Sequence, residues 1–383
     1  MKDRLFIPVL GLGQMVAFAS SYYLLGVTAD PMARSAAVAP AVLYTALSAA
    51  FLISAVLTPF AGAAIERHGG RSVLAFAHLS FALALAILAA ATGVAMLWLG
   101  IALLGVCMGT GLYGTAFALV VEQKGREARR GITAVSLIGA LGGGLGWPAS
   151  RALIEAGDWR LACLFWAGAH LAVCLPLTLT VLPRRPATGP RPAETPPAAP
   201  VAWDRAMVQI AAIFALAWMV STAMGAHLPR VLNLLGLAAG PAAWAAGLMA
   251  ACAIGARLVD LVFLHRSHPV LTLRLASLLH PLGAVAALLG GARLAPLLAA
   301  GQGAGNGLLS VASGVLPLHV FGPDRYAVRQ ALLLTPARYL QAAAPAAYAL
   351  VLDMSVQTAL AVSSLMCLAM LGLTMGLRPR APT

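Results

Sequence analysis

The 383-residue chain is 61% hydrophobic and only 10% charged, against about 25% charged in an average soluble domain. That excludes a water-soluble globular fold, which would have too little polar surface to cover it. The net charge of +13 would suit a nucleic-acid binder, but the basic residues fall mainly in alternate breaks between apolar runs, the positive-inside pattern of a polytopic membrane protein.

In chain order, "MKDRLF" opens a first apolar run that is too long for a secretory signal and carries no A-x-A cleavage site, so a retained first helix is predicted. Apolar runs of roughly 18–25 residues then recur to the end, each long enough to span a bilayer. Six predicted helices cover approximately 5–27, 37–62, 72–92, 95–121, 131–154 and 160–182. Six more cover approximately 206–227, 241–264, 271–290, 293–318, 329–351 and 355–377. Between the sets lies "PRRPATGPRPAETPPAAP", a Pro-rich basic stretch that cannot pack a core and reads as a solvated linker. The expected architecture is an all-α polytopic membrane protein of twelve transmembrane helices. It divides into an N-terminal six-helix bundle (1–182), a cytoplasmic linker (183–204) and a C-terminal six-helix bundle (205–383).

Orientation follows from the Arg/Lys bias. With a cytoplasmic N-terminus, eighteen of the 25 basic residues lie in cytoplasmic ends and loops, five on the opposite side, and Arg257 and Arg338 inside helices. Both termini are therefore expected in the cytoplasm. Only two of the 25 are lysines, which with the abundance of Ala, Gly and Leu reads as GC-rich bacterial coding, and a bacterial inner membrane is the expected location. The five cysteines all lie in apolar runs without CxxC or His/Cys ligand spacing, so neither a disulfide framework nor a metal site is expected. "MGTGLYGTAF" (108–117) in the fourth predicted helix aligns with "AGNGLLSVAS" (304–313) in the tenth through a shared G-x-G-L core. Six plus six helices with an internal echo is the repeat plan of secondary transporters.

Between the second and third predicted helices stands "GAAIERHGGR" (62–71), with Gly62, Glu66, Arg67, Gly69 and Arg71 at the places of a Gly-x-x-x-Asp/Glu-Arg/Lys-x-Gly-x-Arg/Lys pattern. It resembles motif A of the major facilitator superfamily. The resemblance covers essentially the whole chain and implies alternating access, with two six-helix bundles rocking about a central cavity. It also implies a cytoplasmic latch in which Glu66 pairs with neighbouring arginines in one state, with Arg67 and Arg71 beside it. The fourth helix lacks the arginine of the drug/proton antiporters of that superfamily, and "GALGGGLGWP" departs from their Gly-Pro repeat. "SYYLLGVTADPM", "DWRLA" (158–162), an arginine in helix eight and a basic residue in helix eleven are instead similar to the monocarboxylate and oxalate–formate transporters.

Arg257 and Arg338 carry the functional reading. A charge inside a lipid-spanning helix costs roughly 2.5–3.5 kcal/mol on insertion scales, so it is retained for a purpose. Counted from the predicted helix ends, Arg257 lies about 10 Å and Arg338 about 13 Å deep, in one layer. Guanidinium groups bind carboxylate or phosphate bidentately and keep their charge. Of the twelve acidic residues only Asp260 is within an apolar run. It is read as a coupling or gating residue; the alternative is that Arg257 and Asp260, at i,i+3, neutralise one another. Tyr22, Tyr23 and Gln14 in helix one, Tyr113 in helix four, Gln302 and Asn306 in helix ten and Tyr339 beside Arg338 are candidate hydrogen-bond donors to a substrate. His78, His170 and His280 read as packing residues. Either Asp260 or the substrate carries a coupling proton, or transport is exchange or uniport. No Walker motif and no nucleophile–base arrangement is present, so neither ATP drive, a cofactor nor covalent catalysis is expected. The expected function is secondary transport of a small organic anion by a monomer, with a carboxylate as the leading substrate class; the competing function is proton-coupled export of amphipathic drugs or metallophores.

Overall fold

The computed structural model describes residues 2–184 and 201–377. The Pro-rich stretch at 185–200 and the last six residues lie outside them, and with them most of the expected linker. Among the described residues every regular element is helical. The first half holds α1 (Lys2–Ser20), α2 (Leu25–Ser35), α3 (Pro40–His68), α4 (Gly70–Ala89), α5 (Val94–Gly111), α6 (Tyr113–Lys124), α7 (Arg129–Ala156), α8 (Trp159–Gly168) and α9 (Leu175–Val181). The second half holds α10 (Arg205–Leu234), α11 (Ala239–Val262), α12 (Pro269–Gly290), α13 (Ala295–Phe321), α14 (Tyr326–Met354) and α15 (Val356–Met375). Nine stretches of the described residues are long and apolar enough to cross a membrane; one of them, Val94–Ala156, turns back on itself through Gly125–Ala128. Large apolar side chains such as Phe60, Phe263, Leu289 and Leu350 stand exposed on the outside, where lipid rather than water is their solvent.

Three of the expected helices are interrupted, each for a local reason. Between α1 and α2 the hydroxyls of Ser20 and Ser21 both take the Ala17 carbonyl, at 3.3 and 2.6 Å. Such side-chain bonds compete with the helical ladder, and the Tyr23 amide reaches back to Phe18 O. Between α5 and α6 the chain is extended at Leu112. There the freed Gly111 carbonyl accepts from Gln14 Nε2 at 2.9 Å, and Thr115 Oγ1 donates to Thr110 O. Between α8 and α9 the turn Ala169–Cys174 is a π-helix. The "DWRLA" turn is an N-cap: Asp158 accepts from the Arg160 and Leu161 amides at 2.8 and 3.2 Å, and the Arg160 guanidinium lies over Trp159.

Two apolar cores each belong to one half, one around Phe81, Leu85 and Leu104, the other around Phe214, Leu298 and Leu333. A third joins the halves at the end where the basic turns lie: Phe6, Leu74, Phe117 and Ile132 pack with Val311, Val315 and Tyr326. The two halves are therefore closed against each other at this arginine-rich end. The internal echo is visible in the packing. A Cβ on Gly105 or Gly109 would strike the backbone of Ala50 or Ser54 on α3, and one on Gly303 or Gly307 the backbone of Met249 or Ala253 on α11. Packing thus equates Gly109 with Gly307, two residues out of register from the G-x-G-L alignment, which pairs Gly109 with Gly305.

The "GAAIERHGGR" stretch ends α3 and starts α4. Gly69 sits at φ +78°, open to glycine and strained for other residues. Gly62 is where α3 meets α14, since a Cβ there would lie 2.8 Å from Ala331 Cβ and 2.9 Å from Ala327 O. Gly62→Val is expected to lower stability by about 1–3 kcal/mol through overpacking. A melting temperature measured in detergent checks this, and a wild-type value would remove Gly62 from the contact.

A candidate anion site between the halves

The α1–α2 break turns two adjacent tyrosines towards two different arginines. Tyr22 lies near Thr222 on α10 and near Arg338. Tyr23, with Tyr113, is within Coulombic range of Arg257. Trp147 Nε1 donates to the Tyr23 carbonyl at 2.8 Å, fixing the break against α7. Tyr113 donates to Ser136 O at 3.0 Å and stacks on Phe117.

Arg257, 6% exposed, donates from Nε to Ser136 Oγ at 3.0 Å and from Nη1 to Ala253 O at 2.8 Å. Ser136 is on the first half and Arg257 on the second, so this bond crosses the interface; Ser310 Oγ lies 3.2 Å from Ser136 Oγ. Arg338, half-buried, donates from Nη1 to Gln341 Oε1 at 3.1 Å, and Gln341 Nε2 donates to Thr222 Oγ1 at 3.1 Å. Below it a narrow space of about 30 Å³ opens between Gly62, Leu112 and Ala331. Among the described residues neither arginine has a carboxylate partner. One buried and one half-buried guanidinium group, without a carboxylate partner among the described residues, make a positive interior of the kind that attracts anions. Measured from the observed ends, Arg257 is about 8 Å before the end of α11 and Arg338 about 18 Å into α14, so Arg338 lies deeper than the expected common layer.

Asp260 is not paired with Arg257. It is fully buried and accepts from Arg129 Nη2 at 3.3 Å, Thr133 Oγ1 at 3.1 Å and Thr272 Oγ1 at 3.1 Å. Arg129, at the first residue of α7, also donates to Leu264 O at 2.8 Å and to Ser267 O, gripping the turn that follows α11. One side chain of the first half thus holds the carbonyls and the carboxylate of the second. A second clasp joins Glu66 to Arg325 at 3.5 Å. Arg71 donates to Leu179 O, and Arg67 is exposed. Outside these clasps a vestibule of about 1180 Å³ is lined by Arg126, Arg129, Arg130 and Arg266 with His268 and His319. Burial, with Arg129 and Arg274 nearby, pushes the His268 imidazole below its usual range. Its neutral Nδ1 accepts from the Val270 amide and caps α12.

Of the other sequence candidates, Gln14 is buried and bound to the Gly111 carbonyl, and Asn306 accepts from Ser221 Oγ at 2.8 Å. Tyr339 is 44% exposed, on the same stripe as Ala343, Ala346 and Leu350. The structure therefore gathers Tyr22 and Arg338 into one group and Tyr23, Tyr113 and Arg257 into another, and leaves Gln14, Asn306 and Tyr339 outside both. Sequence reasoning missed Arg129, Ser136, Thr222 and Gln341. Gln341 alone had a local signal, being one turn from Arg338 on the same helix.

This arrangement, two helical halves around a polar and positively charged interface, is that of a membrane transporter. The Major Facilitator Superfamily model matches residues 10–334, and the chain belongs to that superfamily. Among solved structures it is similar to the human organic anion transporter MFSD10 (TETRAN), with 16% identity and a TM-score of 0.75 over 97% of this chain and 99% of that one. It is also similar to the E. coli fucose:proton symporter FucP (14%, TM-score 0.78, 98% of each chain). A third is the proton:xylose symporter XylE bound to 6-bromo-6-deoxy-D-glucose (12%, TM-score 0.77, 97% of this chain and 94% of that one). No curated protein sequence matches the chain.

Proposed function

We propose that this transporter moves a small organic anion, a carboxylate first, by alternating access between two six-helix bundles in a bacterial inner membrane. The observation that carries the reading is the pair of membrane-embedded arginines, Arg257 and Arg338, each donating to neutral acceptors and, among the described residues, to no carboxylate. A carboxylate would supply the missing counter-charge, with Tyr22, Tyr23 and Tyr113 as neighbouring donors. The positive-inside bias puts the arginine-rich end in the cytoplasm. The conformation described here is then closed to the cytoplasm, with the Arg129–Asp260 and Glu66–Arg325 contacts as its gate. The similarity to a structure of an organic anion transporter agrees with this reading.

A ligand-dependent melting scan of the purified protein tests it, because a ligand of the native state raises the melting temperature by mass action. The panel holds mono- and dicarboxylates, phosphate esters and oxyanions against lipophilic cations. A shift with one anion class is the expected result. A shift with lipophilic cations alone overturns the anion reading in favour of export.

A further inference from the structure

Away from the two arginines, inside the first half, three ligating atoms converge. His78 on α4 and His170 in the π turn face each other Nδ1 to Nδ1 at 3.0 Å. Cys174, four residues beyond His170, adds its sulfur, and the three ligand atoms lie within 4.8 Å of one another with all three residues buried. The π turn Ala169–Cys174 holds both His170 and Cys174, and such single-turn insertions are frequent at functional sites. The outer nitrogen of His170, Nε2, lies 2.9 Å from Ser20 Oγ at the end of α1, and the Phe81 ring stacks on the imidazole.

We infer that His78, His170 and Cys174 form a binding site for a thiophilic monovalent d10 cation, copper(I) in the first instance. Thiolate with imidazole is the donor set that such ions select. A metal-bound histidine holds its second nitrogen in a hydrogen bond that fixes the ring, as Ser20 does for His170. Charge decides between ions. A monovalent ion on one thiolate and two neutral imidazoles is net neutral and can rest in an apolar core, whereas zinc(II) would leave a buried positive charge. Three protein donors also suit an ion content with low coordination. Two nitrogens about 2.0–2.1 Å from one ion sit about 3.3–3.6 Å apart, so the rings need to part by only about half an ångström.

Loading forms the metal–sulfur bond and two metal–nitrogen bonds and breaks the S–H bond. One proton leaves to solvent, the proton shared by the two Nδ1 atoms moves to an outer Nε2, and the metal keeps its oxidation state. The second half supplies an internal comparison. His280 on α12 is bonded to Ser363 on α15 at 2.9 Å, with Cys367 four residues further on. There a hydroxyl stands where the first half has an imidazole, so a second ring nitrogen is missing from the set. None of these residues belongs to the anion reading, which this inference neither needs nor supports.

The experiment is an anaerobic titration of the purified protein with copper(I), supplied as its acetonitrile complex, against a chromogenic copper(I) chelator, with zinc(II) in a parallel arm. One copper(I) retained per chain, one proton released and a copper absorption-edge spectrum with one sulfur and two nitrogen neighbours are expected. Cys174→Ser and His170→Gln should lose retention, Ser20→Ala should weaken it about 10–100-fold, and Cys252→Ser should leave it intact. Failure of the wild type to retain copper(I), tighter zinc(II) than copper(I), or retention unchanged in both Cys174→Ser and His170→Gln overturns the inference. The wild-type spectrum judges the ligand set even if a variant does not fold.

Discussion

Arg338→Gln is expected to abolish the melting shift that an anionic ligand produces while leaving the ligand-free protein as stable as wild type or more so. The two effects have one cause. Arg338 is a charge in a membrane helix whose hydrogen bond in the described structure goes to the neutral Gln341. Removing a charge without a counter-charge relieves its desolvation. Truncating one partner of a buried charge pair in the liganded state costs about 2–5 kcal/mol, or about 30-fold and more in affinity. Arg338→Lys keeps the charge but loses the planar fork, so an intermediate shift is expected. Arg257→Gln should also lose the shift, but with some loss of ligand-free stability, because the bond to Ser136 crosses between the halves. Melting curves of the four proteins with and without the best anion decide the matter. A full shift in Arg338→Gln would sink the two-arginine site.

The second large effect is expected at the Arg129–Asp260 clasp, and it should be unequal for its two partners. Arg129 is 14% exposed and also donates to two carbonyls, whereas the Asp260 side chain is 0% exposed. Arg129→Leu strands a buried carboxylate with only Thr133 and Thr272 for partners, and a loss of about 3–5 kcal/mol is expected. Asp260→Asn keeps an oxygen to accept from Thr272, can turn its amide nitrogen to donate to Thr133, whose hydroxyl has Arg129 O as another acceptor, and leaves Arg129 its carbonyls, so it should cost clearly less. The double variant Arg129→Leu/Asp260→Leu should recover part of the loss, since no charge is left stranded. Denaturation in mild detergent measures all three. Equal losses in the two single variants would mean that the clasp is not what holds this end closed.

Much of this was readable from the chain. Apolar runs placed most helix ends to within about three residues, because a bilayer leaves the backbone little choice but a helix, whereas the first span runs on to Ser35, α3 to His68 and α10 to Leu234. The glutamate of "GAAIERHGGR" was expected beside neighbouring arginines and lies 3.5 Å from Arg325, whereas the contact of Gly62 with Ala331 on α14 was not foreseen. The breaks were not readable, because Ser20, Ser21 and Leu112 do not disturb the apolar pattern that signals a span. Arg129 was counted with the positive-inside charges of its turn; its partner lies 131 residues away, and no local spacing announces it. The same distance explains Asp260. Pairing with Arg257 at i,i+3 was the alternative reading of Asp260, and the observed partner is Arg129 of the first half. His170 and Cys174 share a spacing found in any helix, and only folding brings His78 between them.

The hydrogen bonds that already occupy Arg257 and Arg338 bear on how long a passenger stays. In the proposed site an incoming anion would displace Ser136, Ala253 O and Gln341 from the guanidinium groups before collecting its own bonds. Those same groups are waiting to take the arginines back when it leaves. Each step is an exchange rather than a gain, which keeps the net affinity modest and the residence time short. A carrier benefits from that, because a site gripping its cargo at the full strength of two bare arginines would load readily and release slowly.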